Sequence, residues 1–199
     1  MRKLKYALFG LWAALVPCAA AEPPPDDVWH LLVEPTFMRH EAAWPIPGSK
    51  TAVLTPARLV DGDVQPLRRD EVVERGVTRK KILSSSATSA SEVLSTLKPR
   101  YVRDTNKVIQ YAVLESESPL TASAVLAPEF AGLFTETLGP DVLVAIPNRF
   151  RIFVFPRDSF LYQSFSDLIF VEYQSTPYPV TREIFEVRDG KLLAIGSYR

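Results

Sequence analysis

A single cysteine, Cys18, is all the thiol chemistry this 199-residue chain possesses, and it lies inside an N-terminal apolar stretch. That excludes disulfides and cysteine-based zinc sites, and once the stretch is removed it excludes a thiol nucleophile. Histidine is almost as scarce, with only His30 and His40. Glu34 and Glu41 stand nearby, but on a strand Glu34 lies about 13 Å from His30 at ~3.3 Å per residue, too far to share an ion locally. No metal and no cofactor is expected from these donors. The chain has no G-x-S-x-G elbow, Walker loop, dinucleotide fingerprint or H-E-x-x-H, which argues against the commonest enzyme classes. It has no repeat of fixed period and, beyond its first residues, no apolar run long enough for a transmembrane helix.

Neither sign of charge is in excess. Lysine and arginine total 23, as do aspartate and glutamate. Nucleic-acid affinity comes largely from neutralising phosphate, so a balanced chain points away from such partners.

What is present begins with an export signal over residues 1–21. Arg2, Lys3 and Lys5 precede an apolar run from Tyr6 to Val16, and Ala19-Ala20-Ala21 supplies a small-residue cleavage pattern. The expected product starts at Glu22 and works in the periplasm or outside the cell. A lipid anchor at Cys18 is the lesser alternative, because Pro17 replaces the small residue that lipidation prefers. Cleavage leaves 20 basic against 23 acidic residues, a net charge of about −3.

Residues 22–27, Glu-Pro-Pro-Pro-Asp-Asp, form a stiff spacer. From residue 28 to 199 a single α+β domain is expected, with a mostly antiparallel sheet and two or three covering helices. The sheet centres on a hairpin over 142–155. Two short runs, Val142–Ile146 and Arg151–Phe155, are rich in β-branched and aromatic residues and each is closed by proline. With Asn148 and Arg149 as the turn, Ile146 faces Arg151, Val144 faces Phe153 and Val142 faces Phe155. Both faces are then apolar, so both must be covered. A second hairpin over 183–196 turns at Asp189-Gly190, the dipeptide of type I′ turns, pairing Val187 with Leu192 and Phe185 with Ala194. Further strands are expected at 28–33, 50–60 and 108–114, with a turn at Asp61-Gly62-Asp63. Helices are expected at 70–75, from a Ser89/Glu92 capping box to Pro99, from Pro128 to Gly139, and over 159–173. The serine-rich stretch 84–91 reads as a solvated loop.

Residues 119–156 carry a longer pattern: Ala122-Ser123-Ala124-Val125-Leu126, then Pro128, a short helix, Gly139, and Leu143-Val144-Ala145-Ile146-Pro147-Asn148-Arg149 before another apolar run. This order resembles the YtpQ-like family of uncharacterised bacterial proteins, over roughly a fifth of the chain. The family form has an aspartate after its Pro-Asn-Arg triplet, where this chain has Phe150. The resemblance implies a mixed α/β architecture and no catalytic residue.

Three groups of residues are candidates for chemistry. Arg79, Lys80 and Lys81, with Arg68 and Arg69 upstream, could face an anionic surface ligand. Asn148 and Arg149 at the hairpin tip are exposed if they form its turn, and Arg149 suits a carboxylate or phosphate. Arg151, on a buried strand, needs a structural partner, for which Asp158 or Asp167 is expected. Ser95 and Lys98 match an S-x-x-K spacing, but no S-D-N or K-T-G follows. The reading is an exported envelope module that binds a protein or an anionic surface ligand. The alternative is a hydrolase acting on envelope polymer.

Overall fold

A computed structural model describes residues 28–157 and 160–198. The signal, the spacer, Asp158 and Ser159 lie outside the described residues. Among the described residues, ten strands divide between two antiparallel sheets. The smaller holds β1 (His30–Pro35), β2 (Trp44–Pro45), β3 (Ala52–Val60) and β4 (Asp63–Pro66), with β1 along β3 and both β2 and β4 paired to β3. The larger holds β5 (Arg100–Arg103), β6 (Ile109–Glu115), β7 (Val142–Asn148), β8 (Arg151–Pro156), β9 (Glu183–Arg188) and β10 (Lys191–Ser197), in the order β10-β9-β7-β8-β6-β5. The β7–β8 hairpin is therefore the middle pair of six strands, as its two apolar faces demand. This is an α+β fold built on antiparallel sheets.

One face of the hairpin carries Val142, Val144, Ile146, Ile152 and Val154, which join the largest core cluster beneath the smaller sheet. The other carries Leu143, Ala145, Phe153 and Phe155, packed under Ile169, Phe165 and Leu168 of the C-terminal helical segment. Full burial of each such side chain stabilises by roughly 1.5–3 kcal/mol.

The register differs from the sequence expectation by one residue. Val144 pairs with Val154 and Leu143 with Phe155, while Asn148 pairs with Arg151 across a shift after Ala145. The turn is thus Arg149-Phe150, and the slip moves Phe153 and Phe155 to the opposite face from Val142 and Val144. Both faces are apolar, so periodicity could not choose between the registers. The C-terminal hairpin has the expected pairs, Val187 with Leu192 and Phe185 with Ala194. Its turn residues Asp189 and Gly190 have φ of 47° and 67°, as a type I′ turn requires.

The helices are α1 (Arg69–Glu74), α2 (Arg79–Thr96), α3 (Thr135–Leu138) and α4 (Ser166–Gln174), with short 3₁₀ segments between some strands. Two expectations fail here. The serine stretch 84–91 is not a loop but the middle of α2, and Ser89 is buried inside the helix rather than capping it. These small residues let α2 lie close along β1. The Ser85 hydroxyl accepts the Trp29 N–H at 2.9 Å, and the Ser89 hydroxyl meets His30 Nδ1. Other hydroxyls turn back onto the helix itself, as Ser86 does onto the Leu83 carbonyl. Pro128–Gly139 is not one helix either. A 3₁₀ segment, Ala131–Phe134, precedes the four residues of α3. Gly132 weakens the helix at its middle, and the buried Phe130 and Phe134, 5.4 Å apart, hold the segment by packing.

Two buried carboxylates, Glu183 and Glu34, tie the sheets together. The Glu183 carboxylate on β9 accepts from the Ser49 hydroxyl and from the N–H groups of Lys50 and Thr51, just before β3. The second tie reaches the hairpin tip.

Candidate functional site

Helix α2 opens at Thr78, whose hydroxyl accepts the Lys81 N–H at 3.2 Å. Its first turn is Arg79-Lys80-Lys81, with no acidic residue there and no basic residue in the last turn. A helix N-terminus carries partial positive charge, so three cations against it oppose the dipole, each by roughly 0.3–1 kcal/mol. The charge is concentrated where an anion would relieve it.

A cleft of about 390 Å³ adjoins this turn, walled by Arg79 and Ile82 of α2, Arg69 and Val72 of α1, and Trp44 of β2, with Glu41 at its side. Trp44, Val72 and Ile82 belong to an apolar cluster with Trp29, Leu67 and Val77, which fixes the base of the cleft. The Arg79 guanidinium lies 4.7 Å from the centre of the Trp44 ring. Such stacking orients a guanidinium while leaving its N–H fork available. Neither Arg69 nor Arg79 makes a salt bridge among the described residues, whereas Arg68 turns to Asp70 at 3.1 Å. The Arg69 backbone N–H reaches Glu41 over a long 3.5 Å. The buried Trp29 indole nitrogen, in the cluster below, has no hydrogen-bond partner. Two arginines from separate helices beside an aromatic wall form a site suited to a phosphate or carboxylate on an organic body.

The two expected basic clusters thus meet: Arg69 from one and Arg79 from the other line a single cleft, while Lys80 and Lys81 are exposed and outside its lining. Sequence reasoning missed Trp44. The signal was a lone tryptophan in Ala-Ala-Trp-Pro-Ile-Pro, a loop position with no packing role to predict.

The hairpin tip corrects another expectation. Asn148 and Arg149 are not an exposed turn, because the register shift draws both inward. Asn148 is buried; its Oδ1 accepts the Phe150 N–H at 3.0 Å and its Nδ2 donates to the Glu172 carbonyl at 3.3 Å. Arg149 donates from Nε and Nη2 to the two oxygens of Glu34, both at 2.8 Å, with its guanidinium 5.3 Å from the Tyr178 ring centre. Glu34 itself is buried on β1. The forked geometry is the strongest a carboxylate offers, and it makes Arg149 a strut between the sheets. His40 Nε2 stands 3.7 Å from Glu34 Oε2.

Arg151 is half-exposed and bonds Glu172 at 2.6 Å and Glu115 at 3.1 Å. Asp158, its expected partner, lies outside the described residues, and Asp167 makes no ion pair with it among those described. The bond to Glu172 raises the Arg151 pKa above its ordinary value, with Glu115 adding to the effect.

Ser95 and Lys98 do not form a reactive pair. The Ser95 hydroxyl donates to the Glu92 carbonyl at 2.7 Å, and α2 ends at Thr96, before Lys98. Among the described residues Ser89 and His30 come together as a serine–histidine pair, but both are buried between α2 and β1. Burial lowers the His30 pKa, with the Glu92 charge opposing, so the ring is a neutral hydrogen-bonding partner. His30 and His40 engage different residues, and no group of three or more metal-binding side chains occurs among the described residues.

No family model, no curated protein and no solved structure matches this chain. No described helix is long and apolar enough to cross a membrane.

Proposed function

We propose that this protein is an exported envelope module that binds an anionic surface ligand, without catalysing its conversion, through the cleft between α1 and α2. The observation that carries the reading is the convergence of Arg69 and Arg79, from separate helices and without ion-pair partners among the described residues, beside Trp44. Lys80, exposed on the same helical turn as Arg79, adds to the positive field that attracts an anion. The ligand class is a phosphate-bearing envelope component, such as a phospholipid headgroup or a glycerol-phosphate polymer, whose body packs on Trp44 and Val72. Export rests on the first 21 residues, and the resemblance of residues 119–156 to YtpQ-like proteins adds no activity to this reading.

The test is sedimentation of the chain beginning at Glu22 with vesicles of phosphatidylcholine alone and with phosphatidylglycerol added. Binding that requires phosphatidylglycerol and is lost in the Arg69→Ala/Arg79→Ala variant supports the reading; equal partitioning of both proteins contradicts it. The hydrolase alternative needs a nucleophile or acid–base pair in a cleft. The buried Ser89–His30 pair and the solvated Ser95 do not supply one.

A further inference from the structure

A second cavity, about 550 Å³, lies where the β3–β4 turn approaches the tip of the β7–β8 hairpin. Its lining includes Asp63, Glu117, Pro119, Arg149, Phe150 and Tyr178. The rings of Phe150 and Tyr178 meet edge to face, 5.7 Å between centroids at 75°, and Tyr178 is 48% exposed. Asp63 and Glu117 are exposed carboxylates with no ion pair among the described residues. Arg149 is the one cation in this lining; both oxygens of Glu34 already hold it, and its guanidinium stands over one face of the Tyr178 ring, leaving the other face and Phe150 for a second cation. A neighbouring cavity of about 500 Å³ shares Glu117 and Phe150 and adds Glu115, Ser116 and Arg151. There too the arginine is taken, by Glu172 and Glu115. On both sides of Phe150 the arginine charge is neutralised, and what remains is Glu117 beside Phe150, with Asp63 and Tyr178 added in the first cavity. That combination favours a cation, through charge and through the ring quadrupole together.

We propose that this tip groove binds a basic peptide segment, a lysine ammonium or arginine guanidinium seated against Phe150 and Tyr178 and met by Asp63 and Glu117. Two cavities joined at Phe150 fit an extended chain carrying more than one cation better than a compact ammonium, which would fill one. This site has the opposite charge preference from the α1–α2 cleft and uses none of its residues, so the two stand or fall separately.

Calorimetric titration of the full chain from Glu22 tests it, using acetyl-Gly-Lys-Gly-Lys-Gly-amide, the same peptide with glutamine for lysine, and choline chloride. The expected result is saturable binding of the lysine peptide, little heat from the glutamine peptide, and weaker binding of choline. The Asp63→Asn/Glu117→Gln variant, altered only at exposed positions, keeps its melting temperature and binds about tenfold more weakly. Phe150→Leu weakens binding as well. Absence of saturable binding to the lysine peptide, equal binding of the glutamine peptide, choline binding as tightly as the lysine peptide, or an unchanged affinity in the carboxylate variant overturns the proposal.

Discussion

Glu34 and Arg149, 115 positions apart, meet through two parallel hydrogen bonds of 2.8 Å and tie the first strand of the smaller sheet to the central hairpin of the larger. Glu34 is 1% exposed. Leaving either charge alone at such depth costs about 3–5 kcal/mol, far more than the pair's net worth against an apolar replacement. Arg149→Met and Glu34→Leu should each destabilise on that scale, while the double variant should lose markedly less than their sum. Denaturant unfolding in a double-mutant cycle measures this. Additive losses would show that the two groups do not act as a pair.

The burial of His30 beside Ser89 sets a dependence on pH. Burial lowers the folded-state pKa of His30, so between that value and the unfolded pKa of about 6.5 the unfolded chain holds more protons. Stability from the neutral ring is complete above about pH 6.5 and declines as pH falls toward the folded pKa. The melting temperature of the native chain should drop across that window, and His30→Gln should flatten the drop. Ser89→Ala, which removes the partner of Nδ1, should cost about 1–3 kcal/mol at neutral pH.

Glycine is needed at Gly190 for two reasons at once. Its φ is 67°, and a Cβ there would stand 2.3 Å from the Leu126 carbonyl oxygen, a backbone atom that cannot swing aside. Gly62, at φ 87°, has open space around it. Gly190→Ala should therefore cost more than Gly62→Ala, whose penalty is conformational and about 1 kcal/mol. Thermal melts of the two variants compare them directly. Equal losses would mean that Leu126 yields.

Much of the fold was legible in the sequence for a simple reason: strands of alternating or continuous apolar character and turns of special backbone geometry leave local marks. Asp189-Gly190 specified both a turn type and a register, and Val142–Phe155 announced a buried central hairpin. The register of that hairpin was not legible, because residues apolar on both faces satisfy either pairing. Nor was α2, whose serines look solvated until β1 supplies the partners that bury them. The site divides the same way. Arg79 and Arg69 were visible as charge, but their meeting at Trp44 is tertiary. Arg149 looked exposed because Glu34, the residue that buries it, lies 115 positions away.

The most direct measurement is the affinity of the chain for a soluble glycerol-phosphate polymer, by calorimetry, with Arg69 and Arg79 intact and replaced by alanine. The native chain should bind measurably and in a salt-sensitive way. The double variant should bind about tenfold or more weakly, from two lost charge-assisted contacts, with its melting temperature unchanged. Equal affinity in the two proteins, or absence of binding by the native chain to this polymer and to phosphatidylglycerol vesicles alike, would contradict the anion-binding reading.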